Sequence, residues 1–300
     1  MLVGVSTPVV AFARGRSAEW ERHAGIDEVA AVAVHADRLG YHHLTCGEHV
    51  AVPRGATTWS GAERGTTYWD PLATFGFLAA RTSRIRLATN VLVLGYHHPL
   101  ALAKRYGTLD RVSGGRVILG VGIGTLRAEF DLLGAPFAGR GRRADDAIRA
   151  LRVALSTPEP AYAGDYYSFS GLILDPAPLQ KRIPLWVGGS SLAAVRRAVA
   201  FADGWTVALG VGLDRLRALL GAVDPPPGFE VVVRPESPLD PIAEPQRTLD
   251  QVGALGEAGA TMITAVVEHG SLPHYLDQLG SLAELVGLDP APAVQVNGGG

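Results

Sequence analysis

Thiols are nearly absent from this chain, whose 300 residues include one cysteine, Cys46. A lone cysteine excludes a disulfide framework and any zinc site built from cysteines alone. Long apolar runs are missing too: nothing reaches 18 unbroken apolar residues, so no membrane span is expected. Neither sign of charge is in excess, with 27 Lys and Arg against 29 Asp and Glu. That balance offers no electrostatic footprint for nucleic acid or for an anionic membrane. The N-terminus runs Met1-Leu2-Val3-Gly4-Val5 with no basic region ahead of a long apolar stretch. A secretory signal is therefore not expected, and the cytoplasm is the default compartment. His-Glu-x-x-His is absent, and so is a His-x-His after the first strand. Cys46, His49 and the pair His42-His43 are the metal-like residues. Adjacent strand residues point to opposite faces, so His42 and His43 are not expected to share an ion. No metal is expected.

What is present is a core-rich chain, 47% hydrophobic and 19% charged, long enough to bury a large core. Short β-type runs fall at 2–6, 42–46, 85–94, 117–121, 184–187, 205–209, 229–233 and 261–267. Stretches of helical spacing separate them, at 26–39, 71–80, 100–112, 143–155, 192–202, 213–220, 246–258 and 273–286. Eight strands alternating with eight helices predict a parallel sheet with crossover helices, closed as one (βα)8 TIM barrel. Local signals agree with these boundaries. Asp70-Pro71 and His98-Pro99 begin helices, while Gly40 and Gly259 stand where helices stop. Pro225-Pro226-Pro227 falls inside the alternation and reads as a stiff loop. The expectation is a single domain over 1–288 and a flexible Pro- and Gly-rich tail over 289–300.

Two excursions break the regularity. Between Cys46 and Asp70 a long loop carries His49, Trp59, Tyr68 and Trp69, and loops of that length are usually lids or binding loops. Residues 162–175 read as a small hairpin around Gly164-Asp165, placed before the fifth strand. Active sites of such barrels sit at the C-terminal ends of the strands, which is where the loop after strand two emerges.

Several positions carry two readings each. Gly120-Val121-Gly122-Ile123-Gly124 looks like a dinucleotide loop, but Thr125 and Arg127 stand where its third glycine would be. These glycines either let a crowded strand bend or bring backbone close to a flat ligand. Gly188-Gly189-Ser190-Ser191 precedes a helix; it is either a serine-capped helix entry or an anion site of exposed amides and hydroxyls. His49 is a structural histidine or a proton carrier. Asn90 is a polar residue in an apolar strand and must find partners, while His97 and His98 pack or cap near a helix start.

Taken together, longer runs resemble one family. They are Arg84-Ile85-Arg86-Leu87-Ala88-Thr89-Asn90-Val91-Leu92-Val93-Leu94, His98-Pro99, and Leu109-Asp110-Arg111-Val112-Ser113-Gly114-Gly115-Arg116. Leu119-Gly120-Val121-Gly122, Trp186-Val187-Gly188-Gly189-Ser190-Ser191 and Ala202-Asp203-Gly204-Trp205 continue the pattern. The chain is similar, between about Gly40 and Trp205, to the luciferase-like monooxygenase family, most of all its F420-dependent oxidoreductase branch.

The resemblance implies a bacterial-luciferase-like barrel binding a flavin or the deazaflavin coenzyme F420 at the strand C-termini. It implies a non-proline cis peptide at Asn90–Val91 behind the coenzyme ring, with Gly122 and Gly124 lining the ring and its chain. It puts the coenzyme phosphate at Gly188, Gly189, Ser190 and Ser191, and His49 beside the reactive ring. The branch has Asp before that histidine where this chain has Glu48, which is carried over as a coenzyme contact. Bacterial luciferase has an arginine to the FMN phosphate where this chain has Ile123. The F420-dependent sugar-phosphate dehydrogenases have a glutamate after strand one, where this chain reads Ser6-Thr7-Pro8-Val9-Val10; that substrate class is not expected.

The resulting expectation is an F420-dependent oxidoreductase moving a hydride to or from a small organic substrate, with Trp59, Tyr68 and Trp69 closing over it. The alternatives are an FMN-dependent monooxygenase using reduced flavin and oxygen, and a non-catalytic flavin-binding barrel. Family precedent adds a homodimer and a separate flavin or F420 reductase as partners.

Overall fold

Eight of the short apolar segments become strands of one sheet in a computed structural model that describes residues 1–13, 17–57, 64–207 and 209–290. These are β1 (Leu2–Ser6), β2 (His43–Cys46), β3 (Arg86–Thr89), β4 (Val117–Gly122), β5 (Leu185–Gly188), β6 (Gly204–Thr206), β7 (Glu230–Val233) and β8 (Met262–Ala265). Each pairs in parallel with its neighbour in the chain, and β8 pairs with β1, so the sheet closes. The register sets Val5 against Leu44 and Leu119 against Leu185. The protein is thus a (βα)8 barrel. Among the described residues no helix is long and apolar enough to cross a membrane.

Helices α1 (Ile26–Leu39), α2 (Pro71–Ala79), α3 (Pro99–Val112), α4 (Arg127–Leu132), α5 (Arg140–Ser156), α6 (Leu192–Phe201), α7 (Leu213–Gly221), α8 (Pro245–Glu257) and α9 (Leu272–Val286) surround the sheet. Their ends follow local chemistry. Asp70 accepts from the Ala73 amide at 2.8 Å to start α2, and His98 accepts from Leu100 at 3.2 Å to start α3. Gly40, with φ +88°, ends α1 in the left-handed region that glycine tolerates.

The strands bury both faces. Outward residues such as Val3, Leu44, Leu87 and Leu185 join the helices in the main core. Ala88, Ile118, Trp186, Val232 and Met262 form a separate cluster, the filling of the barrel. Two large rings fit there because glycines face them. A Cβ at Gly4 would lie 2.2 Å from the His43 ring, and one at Gly204 would lie 2.9 Å from Trp186.

The floor, where the strands begin, is fastened by buried aspartates. Asp37, on α1, accepts from the amides of Ser83, Arg84 and Ile85 at 2.9, 2.8 and 2.6 Å, and from the Ser83 hydroxyl at 3.1 Å. Asp110, on α3, accepts from the amides of Leu179 and Gln180, both at 2.9 Å. Asp203 accepts from Leu185 at 2.8 Å and pairs with Arg152 and Arg182. Burial alone would raise the carboxyls of Asp37 and Asp203; the amides on Asp37 and chiefly Arg152 on Asp203 outweigh it and hold both below their usual range.

Three sequence expectations need correction. His42 and His43 do not point apart: their Nδ1 atoms lie 3.0 Å from each other. His42 stands one residue ahead of β2, where the wall ends and two rings meet around its edge. Burial pushes the His42 imidazole down to about 4 and lowers that of His43 as well, so one ring donates and the other accepts. The single third strand over 85–94 is interrupted, because the Asn90–Val91 peptide is cis and Leu92–Val93 re-pairs with β4 beyond it. Finally, α4 was not anticipated: its first turn has no side-chain cap.

The expected hairpin is present, with Tyr162–Ala163 antiparallel to Ser168–Phe169. Asp146 on α5 anchors it through the Tyr166 and Tyr167 amides at 2.8 and 3.0 Å. Of the tail placed at 289–300, residues 291–300 lie outside the described residues.

Candidate active site

At the opposite end of the barrel, buried carboxylates hold histidines. β2 ends at Cys46, and the chain turns out through Gly47 and Glu48 to His49. The His49 side chain is 16% exposed and meets Glu129 of α4, whose own side chain is fully buried. Nδ1 lies 2.7 Å from Glu129 Oε2. Glu129 also accepts from the amides of Val50 and Ala51, at 2.6 and 3.1 Å, and from the Tyr96 hydroxyl at 2.8 Å. Burial pushes its carboxyl up, but hydrogen bonds from His49, Ala51 and Tyr96 prevail and keep it low. An ionised carboxylate only accepts, so His49 Nδ1 carries the proton. On the other side Nε2 lies 3.1 Å from Arg64 Nη1, which only donates. The neutral tautomer is thereby fixed, with the Nε2 lone pair at the rim. The ring of Tyr68 lies against His49 at 4.5 Å between centroids.

Glu48, expected at the coenzyme, faces the end of strand three. Its Oε1 lies 2.6 Å from His97 Nε2, and its Oε2 accepts from the Val93 amide at 2.8 Å. Asn90, a polar residue in an apolar strand, accepts on its side-chain oxygen from the Thr206 hydroxyl at 3.5 Å; its backbone N–H donates to the Cys46 carbonyl at 2.9 Å.

The glycines around Asn90 and Val91 have a specific reason. A Cβ at Gly122 would stand 2.8 Å from Val91 Cγ2, and one at Gly188 would stand 2.6 Å from Val91 Cγ1. One at Gly120 would meet the Thr89 carbonyl oxygen at 2.0 Å. The Val91 side chain fills the space these glycines leave. Gly124 sits at φ +72° against Phe130 and Val93.

At the end of β5, Gly189 donates to the Thr206 carbonyl at 3.1 Å and accepts from Trp205 Nε1 at 2.6 Å. Its φ of +141° is glycine territory. Ser191 caps α6, accepting from Ala194 at 3.2 Å. Ser190 is exposed, beside the first amides of α6.

Of the aromatic residues expected over the substrate, Trp59 lies outside the described residues. Tyr68 belongs to a two-residue strand, Thr67–Tyr68, paired with Ala11–Phe12 of the chain after β1. Trp69 follows it, its amide donating to the Val10 carbonyl at 2.9 Å. Just before that pairing the chain makes a γ-turn: Val10 donates to Pro8 at 2.8 Å and Val9 sits at φ +72°. A β-branched residue in that region is strained. The Glu21 carboxylate holds it, accepting the Val9 amide on Oε2 and the Ala18 amide on Oε1, each at 2.8 Å. Burial outweighs these two amides and raises the Glu21 carboxyl. His269, beyond β8, lies 3.8 Å from Glu21 and accepts from Trp20 Nε1 at 2.9 Å.

Sequence reasoning missed Glu129, Arg64, Glu21 and His269. Glu129 is 80 residues from His49 on a short uncapped helix; Glu21 lies on a single 3-10 turn, Glu19–Arg22, and Arg64 and His269 lie on irregular chain. Among the described residues no three His, Cys, Asp or Glu side chains converge as a metal site would require.

An uncharacterized protein of Mycobacterium tuberculosis is 34% identical over 178 residues, covering 57% of this chain and 61% of that protein. The chain thus spans about three fifths of the length of that relative. The FMNH2-dependent dimethylsulfone monooxygenase of Pseudomonas putida is 32% identical over 145 residues, 47% of this chain and 39% of that enzyme. Among solved structures, monooxygenase RslO1 from Streptomyces bottropensis superposes with a TM-score of 0.74 at 21% identity, over 95% of this chain and 98% of that one. An F420-dependent secondary alcohol dehydrogenase, solved with an F420-acetone adduct, gives 0.73 at 13% identity, over 96% and 98%. These likenesses show the shared fold. The family model for luciferase-like monooxygenases matches residues 1–233, and the chain belongs to that family.

Proposed function

We propose that the protein is an F420-dependent oxidoreductase that moves a hydride between the deazaflavin coenzyme and a small organic substrate. The observation that carries this reading is the His49–Glu129 pair. When a hydride leaves or reaches a carbon bearing oxygen, a proton must leave or reach that oxygen. A neutral imidazole with its lone pair fixed at the rim is built for that proton. Glu129 orients the ring and stabilises the imidazolium once Nε2 is protonated, as a buried carboxylate does for a catalytic histidine.

The residues present fit the coenzyme. Ser190, exposed beside the first turn of α6, and the amides of that turn offer an anion cradle at a helix N-terminus. Val91, against which Gly122 and Gly188 close, and Asn90, Gly124 and Gly189 are the further coenzyme contacts of this reading. When bound there, F420 supplies two-electron hydride chemistry, and the protein supplies position and electrostatics. Glu48 acts one step away, holding His97 and the chain beyond Val91. Tyr68 and Trp69 exclude water from the substrate side. Ile123 after β4 offers no charge to a second phosphate contact, which favours F420 over FMN. The similarity to an FMNH2-dependent enzyme supports the second reading, an oxygen-using flavin monooxygenase served by a partner reductase.

Fluorescence titration of the purified protein with F420, and separately with FMN, tests the proposal. Micromolar or tighter F420 binding with weaker FMN binding is expected. Preference for FMN overturns it in favour of the second reading, and binding of neither removes the assigned phosphate cradle.

A further inference from the structure

A cavity of about 320 Å3 opens between the chain after β1 and the chain returning from the loop after β2. Phe12 and Trp69 give it apolar walls; Arg64, Thr66 and Thr67 give polar ones. Arg64 links this cavity to the histidine pair, because its Nη1 donates to His49 Nε2 at 3.1 Å. Its Nε is shielded from solvent and, like that of Arg86, Arg143 and Arg152, meets no acceptor among the described residues.

Three other guanidiniums packed into the barrel have protein acceptors. Arg116 donates to the carbonyls of Ala79, Thr82, Ile85 and Ser113, while Arg152 and Arg197 each have an aspartate. Arg64 meets no carboxylate among the described residues. A guanidinium is always charged and its forked donors match a carboxylate. One facing a cavity beside an imidazole is therefore an anion anchor in want of an anion. The wall's own acid does not compete, since both Glu21 oxygens are taken up by the amides of Val9 and Ala18. Arg22, also on the wall, adds a second positive charge and, among the described residues, pairs with Glu19 at 3.6 Å.

We propose that Arg64 anchors the carboxylate of a small anionic substrate lying in this cavity, with its reacting oxygen at His49 Nε2. The two protein atoms are 3.1 Å apart, so the groups they serve are close on one molecule: the substrate class is a hydroxy or oxo acid with oxygen near the carboxylate. The anion draws the guanidinium away from Nε2 and frees the lone pair at the moment the substrate arrives. This inference rests on the reading of His49 as the proton carrier, and its test is separable from the coenzyme titration.

Mandelate and its neutral amide, mandelamide, differ in charge and little in shape. Isothermal titration calorimetry of the full chain with each, without and with saturating F420, reads the anchor directly. Mandelate is expected to bind about tenfold or more tightly than mandelamide, as loss of a charge-assisted contact implies. Arg64→Gln is expected to abolish that preference and Arg64→Lys to keep part of it, with melting temperatures confirming that both fold. Equal affinity for the two probes, no binding of mandelate in either condition, or an unchanged preference in Arg64→Gln overturns the proposal. A protein that fails to bind F420 but still selects mandelate through Arg64 refutes the coenzyme assignment and leaves the anchor standing.

Discussion

Asp37 at the floor and Glu129 at the rim are both buried carboxylates fed by backbone amides, yet they are used for different ends. Asp37 spends all its hydrogen bonds on the chain entering β3: three amides and one hydroxyl, none of which titrates. Glu129 takes two amides and the Tyr96 hydroxyl, and gives a place to His49. The rim repeats the device twice, with Glu48 on His97 and Glu21 near His269. A carboxylate closed by amides locks geometry; one that also holds an imidazole converts the same rigidity into a positioned lone pair. The barrel places the first kind where strands begin and the second where they end, which is the face on which such barrels carry chemistry.

Three experiments can break or sharpen this contrast. The largest effect is expected at the rim, where His49→Asn should lower turnover on the order of 10^2- to 10^4-fold while coenzyme titration and melting temperature stay near wild type. Retained turnover would make the pair a structural lock like those of the floor. Next comes the floor: Asp37→Ala strands several amides without water and should cost about 3 kcal/mol, a fall in Tm on the order of 10 °C. Coenzyme binding by the folded fraction should be unchanged. A Tm shift within a degree or two would show that loop solvent replaces the carboxylate.

The smallest effect is in acid. Asp37, Asp203 and Glu129 have carboxyls held below their usual range, so the native state binds fewer protons than the unfolded chain. Their stabilisation is complete above roughly pH 5 and is lost as pH falls through the folded-state values. Glu21 is raised and works in the opposite sense, losing its contribution as pH rises past about 4.3. Urea midpoints between pH 3 and 6 should therefore fall toward acid, less steeply in Asp37→Asn than in wild type. Equal slopes would remove Asp37 from the acid response.

The barrel was legible because its signals are local. Alternating runs, the proline after Asp70 and the glycine after Leu39 act within a few residues, and the strands and helices appear within a few residues of where these put them. Asn90 drew notice by being polar in an apolar run, but where pairing stops and resumes was not legible from it. The site was legible only in half. His49 stood out by type and place, whereas its partner Glu129 reaches it through tertiary packing, from an uncapped helix of six residues. Arg64 sits on irregular chain and Glu21 on a 3-10 turn of four residues, where there is too little periodicity to mark a functional side chain. His42 and His43 misled because alternation is a rule of continuous strand, and the wall stops at that point.

The fit of Val91 among glycines also bears on how this sequence can drift. Positions 122 and 188 are blocked by two methyls of one side chain, so alanine becomes admissible at either once position 91 has shrunk. Those three sites form an epistatic unit in which the order of substitution decides which paths are open. Position 120 lies outside it, because its obstacle is the Thr89 carbonyl oxygen, and no exchange of side chains at position 91 moves that.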